Sequence, residues 1–170
     1  LQECFFNWAN DFRTIIAGET IAIDGKASRG SRDVGLDKKA IYMVSAWANQ
    51  NELVLGQVKV DEKSNEITAI PKLLDLLDIS GCTVTIDAMG TQKTIAEKII
   101  NNDADYILGL KGNQGNFHDD VKTYITDQLD VKITDETHQS KETTDADHGR
   151  IEERKFHLFT DIGWLEQKPD

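Results

Sequence analysis

Two aspartates in this chain share one local pattern. In Thr83-Val84-Thr85-Ile86-Asp87-Ala88-Met89-Gly90, four β-prone residues run into an acid, and a glycine follows three places later. In Ile21-Ala22-Ile23-Asp24-Gly25-Lys26, an apolar run again ends in an acid and a glycine. A group at the C-terminal end of a buried strand sits where open α/β sheets collect ligands and catalytic residues. Two strands that each deliver one carboxylate can hold a divalent cation, because Mg²⁺ takes hard oxygen ligands, often one or two carboxylates with water and phosphate. Neighbouring strands lie about 4.8 Å apart, so both carboxylates could reach one metal or a close pair of metals. Such a site activates water or a 3′-hydroxyl and stabilises the leaving oxygen of in-line phosphoryl transfer. The plainer alternative is that each Asp merely turns the chain or caps the helix that follows.

Other polar residues could meet a nucleic acid beside such a site. Lys26 opens a stretch that also holds Arg29, Arg32, Lys38 and Lys39. It could touch phosphate or be a plain surface loop. Lys111, Asn113 and Gln114, in a polar turn flanked by glycines, could bind phosphate or a base edge, or could simply close the turn. His148-Gly149-Arg150-Ile151-Glu152-Glu153-Arg154 concentrates charge in seven residues. On a strand, Arg150, Glu152 and Arg154 share one face, as a substrate-facing or a solvated ladder.

The elements that must position these groups follow from periodicity. Phe5, Trp8, Phe12, Ile15 and Ile16 have helical spacing, which predicts one apolar helix face ending near Gly18. A strand over 20–24 leads into a loop over 25–39. Residues 40–49 and 53–60 alternate as an antiparallel hairpin. An amphipathic helix spans 66–77, then a buried strand 83–86. A helix spans 91–102, with Thr91 as a candidate N-cap. A second buried strand covers 105–110 and a helix 117–128. Residues 129–147 alternate weakly, and 149–160 read as a strand. A three-strand meander followed by alternating helices and parallel strands is similar to a ribonuclease H-like α/β mixed sheet. We therefore expect an N-terminal helix over 1–18, a core over 19–128 and a β-rich insertion over 129–170.

Composition narrows the class. With 170 residues, 39% hydrophobic and 29% charged, the chain is long enough for a real core. The net charge of −11 argues against a module that simply coats nucleic acid, which would be basic. It leaves room for an enzyme that handles nucleic acid through metal ions. No apolar run approaches the roughly 20 residues that cross a bilayer, and no secretory pattern opens the chain. Cys4 and Cys82 lack metal-site spacing, and Cys82 reads as a packed thiol. We expect a cytoplasmic protein. The chain opens on Leu and ends soon after an apolar Trp164-Leu165, so we read both ends as cut.

Five motifs in order add a resemblance. These are Ile23-Asp24-Gly25-Lys26, Gly56-Gln57-Val58-Lys59-Val60 with Lys63-Ser64-Asn65-Glu66-Ile67, Ile86-Asp87-Ala88-Met89-Gly90, Lys111-Gly112-Asn113-Gln114 and His148-Gly149-Arg150-Ile151-Glu152. Together they resemble the H-repeat-associated insertion-sequence transposases, bacterial DDE transposases with a ribonuclease H-like core. The resemblance implies DNA cleavage and strand transfer with Mg²⁺ or Mn²⁺. It implies insertion-sequence ends as the DNA partner and a homodimer of the full-length protein. Asp24 matches the first catalytic acid and Asp87 the second. The third acid of such relatives sits on a helix after a β-rich insertion, and no such helix is evident before Asp170. Glu152 is one candidate and an acid outside this chain the other. The resemblance also leaves a second reading, a decayed, non-catalytic nucleic-acid-binding module of the same origin. An unrelated small-molecule enzyme ranks last, because no glycine-rich phosphate loop is present.

Overall fold

Ile21 and Ile23 alternate with smaller or polar neighbours, so both point to one face of β1 (Thr20–Ser28). Val84 and Ile86 do the same in β4 (Thr83–Ile86). The two strands pair in parallel, with Ile21 opposite Val84 and Ile23 opposite Ile86, so four apolar side chains form one patch. Around them, in the computed structural model, lies a five-stranded mixed sheet of order β3-β2-β1-β4-β5. Its other strands are β2 (Ile41–Ala48), β3 (Leu53–Lys59) and β5 (Asp105–Leu108). β2 runs antiparallel to β1 and β3, while β5 runs parallel to β4. The structure describes residues 2–14, 16–32, 40–60, 65–130, 137–147 and 149–165.

Three helices join the patch in one buried cluster. α2 (Glu66–Leu74) contributes Ala69, Ile70, Leu73 and Leu74; α3 (Lys93–Asn101) contributes Ile95 and Ile99. α1 (Gln2–Phe12) contributes Phe6, whose ring packs so closely on β3 that a Cβ at Gly56 would lie 2.1 Å from it. The opposite face carries Ala22, Asp24, Lys26, Ser45 and Trp47 from the centre of the sheet. Asp24 therefore points away from the helices that bury Ile23.

A buried ion pair fixes the other end of β1. Glu19 is fully buried, and Arg13 Nη2 lies 3.1 Å from its Oε2. The Asn51 backbone N–H donates to Glu19 Oε1 at 3.1 Å, tying in the β2–β3 turn. Arg13 also donates to the Asp78 carbonyl and to Cys82 Sγ, which ties in the approach to β4. Cys82 is the packed thiol its position predicts.

Several expected boundaries move. α1 stops at Phe12, and among its described side chains Phe6 and Ala9 are buried, while Trp8 meets Phe5 and Phe12 in tilted ring contacts at the surface. The strand expected to end at residue 24 runs on to Ser28, because β2 supplies backbone partners as far as Ile41. The strand expected to be buried at 105–110 is an edge strand, with Asp105, Tyr106 and Ile107 exposed. Thr91 does not cap α3; Gln92 occupies that position without a side-chain bond.

The chain divides into two units, Leu1–His118 and Asp119–Asp170. The second holds most of α4 (Asn116–Asp130) and a two-stranded antiparallel ribbon, β6 (His138–Asp147) and β7 (Arg150–Phe159). The division between the units falls within α4. Aromatic packing explains it: Tyr124 of α4 stacks on Trp164 at 4.8 Å, meets Phe159 edge-on, and donates its hydroxyl to the Asp161 carbonyl.

Arg13→Ala would strand the Glu19 carboxylate in the interior. Urea unfolding should show a loss of about 3–5 kcal/mol. A loss below about 1 kcal/mol would mean that Asn51 alone satisfies the acid.

Candidate metal centre

Asp24 and Asp87 each follow one member of the Ile23–Ile86 register pair, on adjacent parallel strands. They are neighbours at one rim of the sheet, as the sequence pattern predicts, and both are exposed. Among the described residues neither has an ion-pair partner. The contrast with Glu19, which folding neutralises with Arg13, is chemical. Glu19 is neutralised inside the fold, and Asp24 and Asp87 are not ion-paired among the described residues.

The backbone after Asp87 is shaped to present it. Asp87 Oδ1 accepts the Met89 N–H at 3.0 Å and sits 3.4 Å from the Gly90 nitrogen, an Asx turn. Forming this turn leaves the Asp87 side chain exposed at the rim. Gly90 is forced by packing, since a Cβ there would meet Ile86 Cγ2 at 2.4 Å and Ile70 Cδ1 at 2.7 Å. Thr91 Oγ1 donates to the Gly109 carbonyl at 2.6 Å and lies 3.1 Å from the Asp87 carbonyl, joining the ends of β4 and β5.

Asn113 and Gln114 serve the same loop. Asn113 Nδ2 donates to the Ala88 carbonyl at 2.8 Å, and Gln114 Nε2 to the Thr91 carbonyl at 2.7 Å. Of the two roles open to these amides, DNA contact or closing the turn, the structure shows their N–H groups bonded within the turn beside Asp87. Lys111 is exposed at the start of this turn, and Lys26 is exposed on the same face of β1 as Asp24. Arg150 and Arg154 are exposed on β7 in the second unit, and His148 lies outside the described residues. Glu152, also on β7, is ion-paired with Arg154 and stands opposite Asp145 of β6.

One acid near the site escaped sequence reading. Glu66, the first residue of α2, is buried, and the Tyr42 hydroxyl donates to its Oε1. The same hydroxyl lies 3.2 Å from the Gly25 carbonyl. The only available hint was Glu66's place in a motif, where it read as a helix start. The Tyr42 phenol is pushed up to about 12, first by its bond to Glu66, then by burial and by the charges of Glu66, Asp24 and Asp87. Three carboxylates thus act on one hydroxyl.

Among the described residues no group of three or more His, Cys, Asp or Glu is placed to hold a metal ion. Asp24 and Asp87 alone are a hard-oxygen pair, the donor set Mg²⁺ takes when water and phosphate complete its shell.

Comparison with known proteins places the chain. A transposase DDE domain matches residues 17–161. The chain belongs to this family. It is 47% identical over 162 residues to the putative transposase YncI of Escherichia coli O157:H7, covering 95% of this chain and 40% of that protein. It is 43% identical over 162 residues to the H repeat-associated putative transposase YhhI of Escherichia coli K12, covering 95% and 42%. An uncharacterized protein from the dhlA 3′ region of Xanthobacter autotrophicus is 42% identical over 172 residues, covering 99% and 56%. The chain therefore spans about half the length of these relatives. Among solved structures, a piggyBac transposase synaptic complex with hairpin DNA aligns with 84% of this chain and 31% of that one, at a TM-score of 0.47 and 13% identity. No helix among the described residues is long and apolar enough to cross a membrane.

Tyr42 sets a pH expectation. Its folded pKa is raised above the ordinary 10, so the unfolded chain loses the phenolic proton first. The associated stability is complete below pH 10 and is lost as pH rises through about 12. Spectrophotometric titration should show a late phenol in the wild type that Tyr42→Phe lacks.

Proposed function

We propose that this chain is part of a DDE transposase with a ribonuclease H-like core, in which Asp24 and Asp87 are the first two carboxylates of a Mg²⁺ or Mn²⁺ site for DNA cleavage and strand transfer at insertion-sequence ends. The observation that carries the proposal is the register of β1 and β4, which sets the two acids side by side, with no ion pair to either among the described residues. Membership of the transposase DDE domain family supports the reaction class. The strand order, with an antiparallel β1–β2–β3 meander and parallel β4 and β5, supports the ribonuclease H-like assignment.

The chemistry asked of the protein is modest. A bound Mg²⁺ or Mn²⁺ would lower the pKa of water or a 3′-hydroxyl and stabilise charge on the leaving oxygen. The chain's own residues hold the acids in place: Gly90, Thr91, Asn113 and Gln114 fix the loop that presents Asp87. Lys26 and Lys111 would offer positive charge to the DNA backbone, and Arg150 and Arg154 would do so from the ribbon. Gathering phosphate on a chain of net charge −11 needs such local cations. For the third carboxylate there are two sources, Glu152 and the length of the relatives that this chain does not span. If the third acid lies in that unspanned length, the chain by itself carries two acids of the set and is inactive alone.

Calorimetric titration of Mn²⁺ into the wild type and Asp87→Ala tests the shared site. A saturable heat in the wild type that vanishes in the variant is expected. Equal heats from both would remove the metal site and leave a non-catalytic module as the better account.

A further inference from the structure

Glu66 is an acid with more packing around it than a helix start requires. Asn65 already caps α2, its side chain accepting from the Thr68 N–H. An acid in the first turn gains from the helix dipole while fully exposed, so the dipole explains neither burial nor a dedicated partner. Glu66 nevertheless has 8% of its surface exposed, and its carboxylate lies against the backbone of β1. A Cβ at Gly25 would lie 2.1 Å from Glu66 Oε1 and 2.4 Å from Cδ. Gly25 is therefore the residue that lets Glu66 reach the strand, and it directly follows Asp24. Tyr42 completes the arrangement from β2, donating to Glu66 Oε1 and approaching the Gly25 carbonyl at 3.2 Å.

Three elements thus converge on the peptide after Asp24. On β1, Gly25 faces the helices and Asp24 faces the other way. Glu66 accordingly approaches the strand from behind the proposed metal site. We propose that Glu66 and Tyr42 are positioning residues: a carboxylate–phenol clamp that holds the carboxyl end of β1 so that Asp24 stays in line with Asp87 for metal binding. The inference rests on the metal-site reading above. It assigns Glu66 no contact with the metal; the clamp works on the backbone that carries Asp24.

The geometry gives each substitution a distinct consequence. Tyr42→Phe removes the donor and keeps the ring. Glu66→Leu removes the acceptor and keeps the bulk. Glu66→Gln keeps an acceptor oxygen for Tyr42 while discarding the charge. Partners that orient metal ligands typically change affinity about 10–100-fold when removed.

The test is Mn²⁺ titration of the 170-residue chain, by calorimetry and by the loss of the free-ion paramagnetic resonance signal, with urea unfolding run on every variant. Tyr42→Phe and Glu66→Leu should weaken Mn²⁺ binding about tenfold or more, and Glu66→Gln should bind near the wild-type level. A merely structural pair would shift the unfolding midpoint and leave the affinity of the folded chain alone. If Tyr42→Phe binds Mn²⁺ as the wild type does while Asp87→Ala does not bind, the clamp is overturned and the metal site stands. If Glu66→Gln is as weak as Glu66→Leu, charge rather than positioning matters, and the clamp is again overturned. If the wild type shows no Asp87-dependent binding, the metal site falls and the clamp's purpose with it.

Discussion

Parallel pairing of β1 with β4 is the contact on which the rest of the sheet unit depends. Parallel neighbours cannot be joined by a tight turn, so a long crossover must close between them. Here β2, β3 and α2 lie in that crossover. Apolar burial sets the register: Ile21, Ile23, Val84 and Ile86 must share the face on which α2 and α3 pack. A slip of one residue in either strand would turn its aspartate toward the helices and its isoleucine toward water. The hydrophobic register and the spacing of the two acids are thus one constraint.

Four buried or rim carboxylates of the first unit show three solutions to the same electrostatic problem. Glu19 is fully enclosed and is matched by Arg13, because an unpaired charge in that position would be intolerable. Glu66 is nearly enclosed and is held by a phenol, with a glycine making the room. Asp24 and Asp87 stay at the rim with no cation among the described residues, in a chain that is already acidic overall. Uncompensated negative charge gathered at one rim of a sheet attracts cations and repels polyanions.

The second unit has a different physical basis. Almost every side chain of β7 is exposed, and the ribbon is held by its own ladder and by aromatic contacts at its base. Stacking of His138 on Phe159 at 4.5 Å and of Tyr124 on Trp164 gathers that base, while charged pairs such as Lys155 with Glu142 lie along the strands. Such a ribbon owes little to hydrophobic burial, which explains why residues 138–147, within the weakly alternating stretch, carry so few apolar side chains.

The strand-then-acid pattern at residues 21–24 and 83–87, the helical spacing of Ile70, Leu73 and Leu74, and the ordered motifs were all readable from residue order. Each depends on a local period or a short spacing; that Asp24 and Asp87 end neighbouring strands was expected from the ribonuclease H-like arrangement, and the β1–β4 pairing sets them there. Other features were decided only when distant segments met. Whether 105–108 is central or marginal depends on what pairs beyond it. Which side of α1 is buried depends on where Gly56 of β3 admits Phe6. The amides of Asn113 and Gln114 were committed by the backbone of a loop far earlier in the chain. Glu66 could not be told from an ordinary first-turn acid until Gly25 and Tyr42 closed around it. Periodicity reports the environment a residue asks for; the partner that satisfies it is chosen by packing between remote parts of the chain.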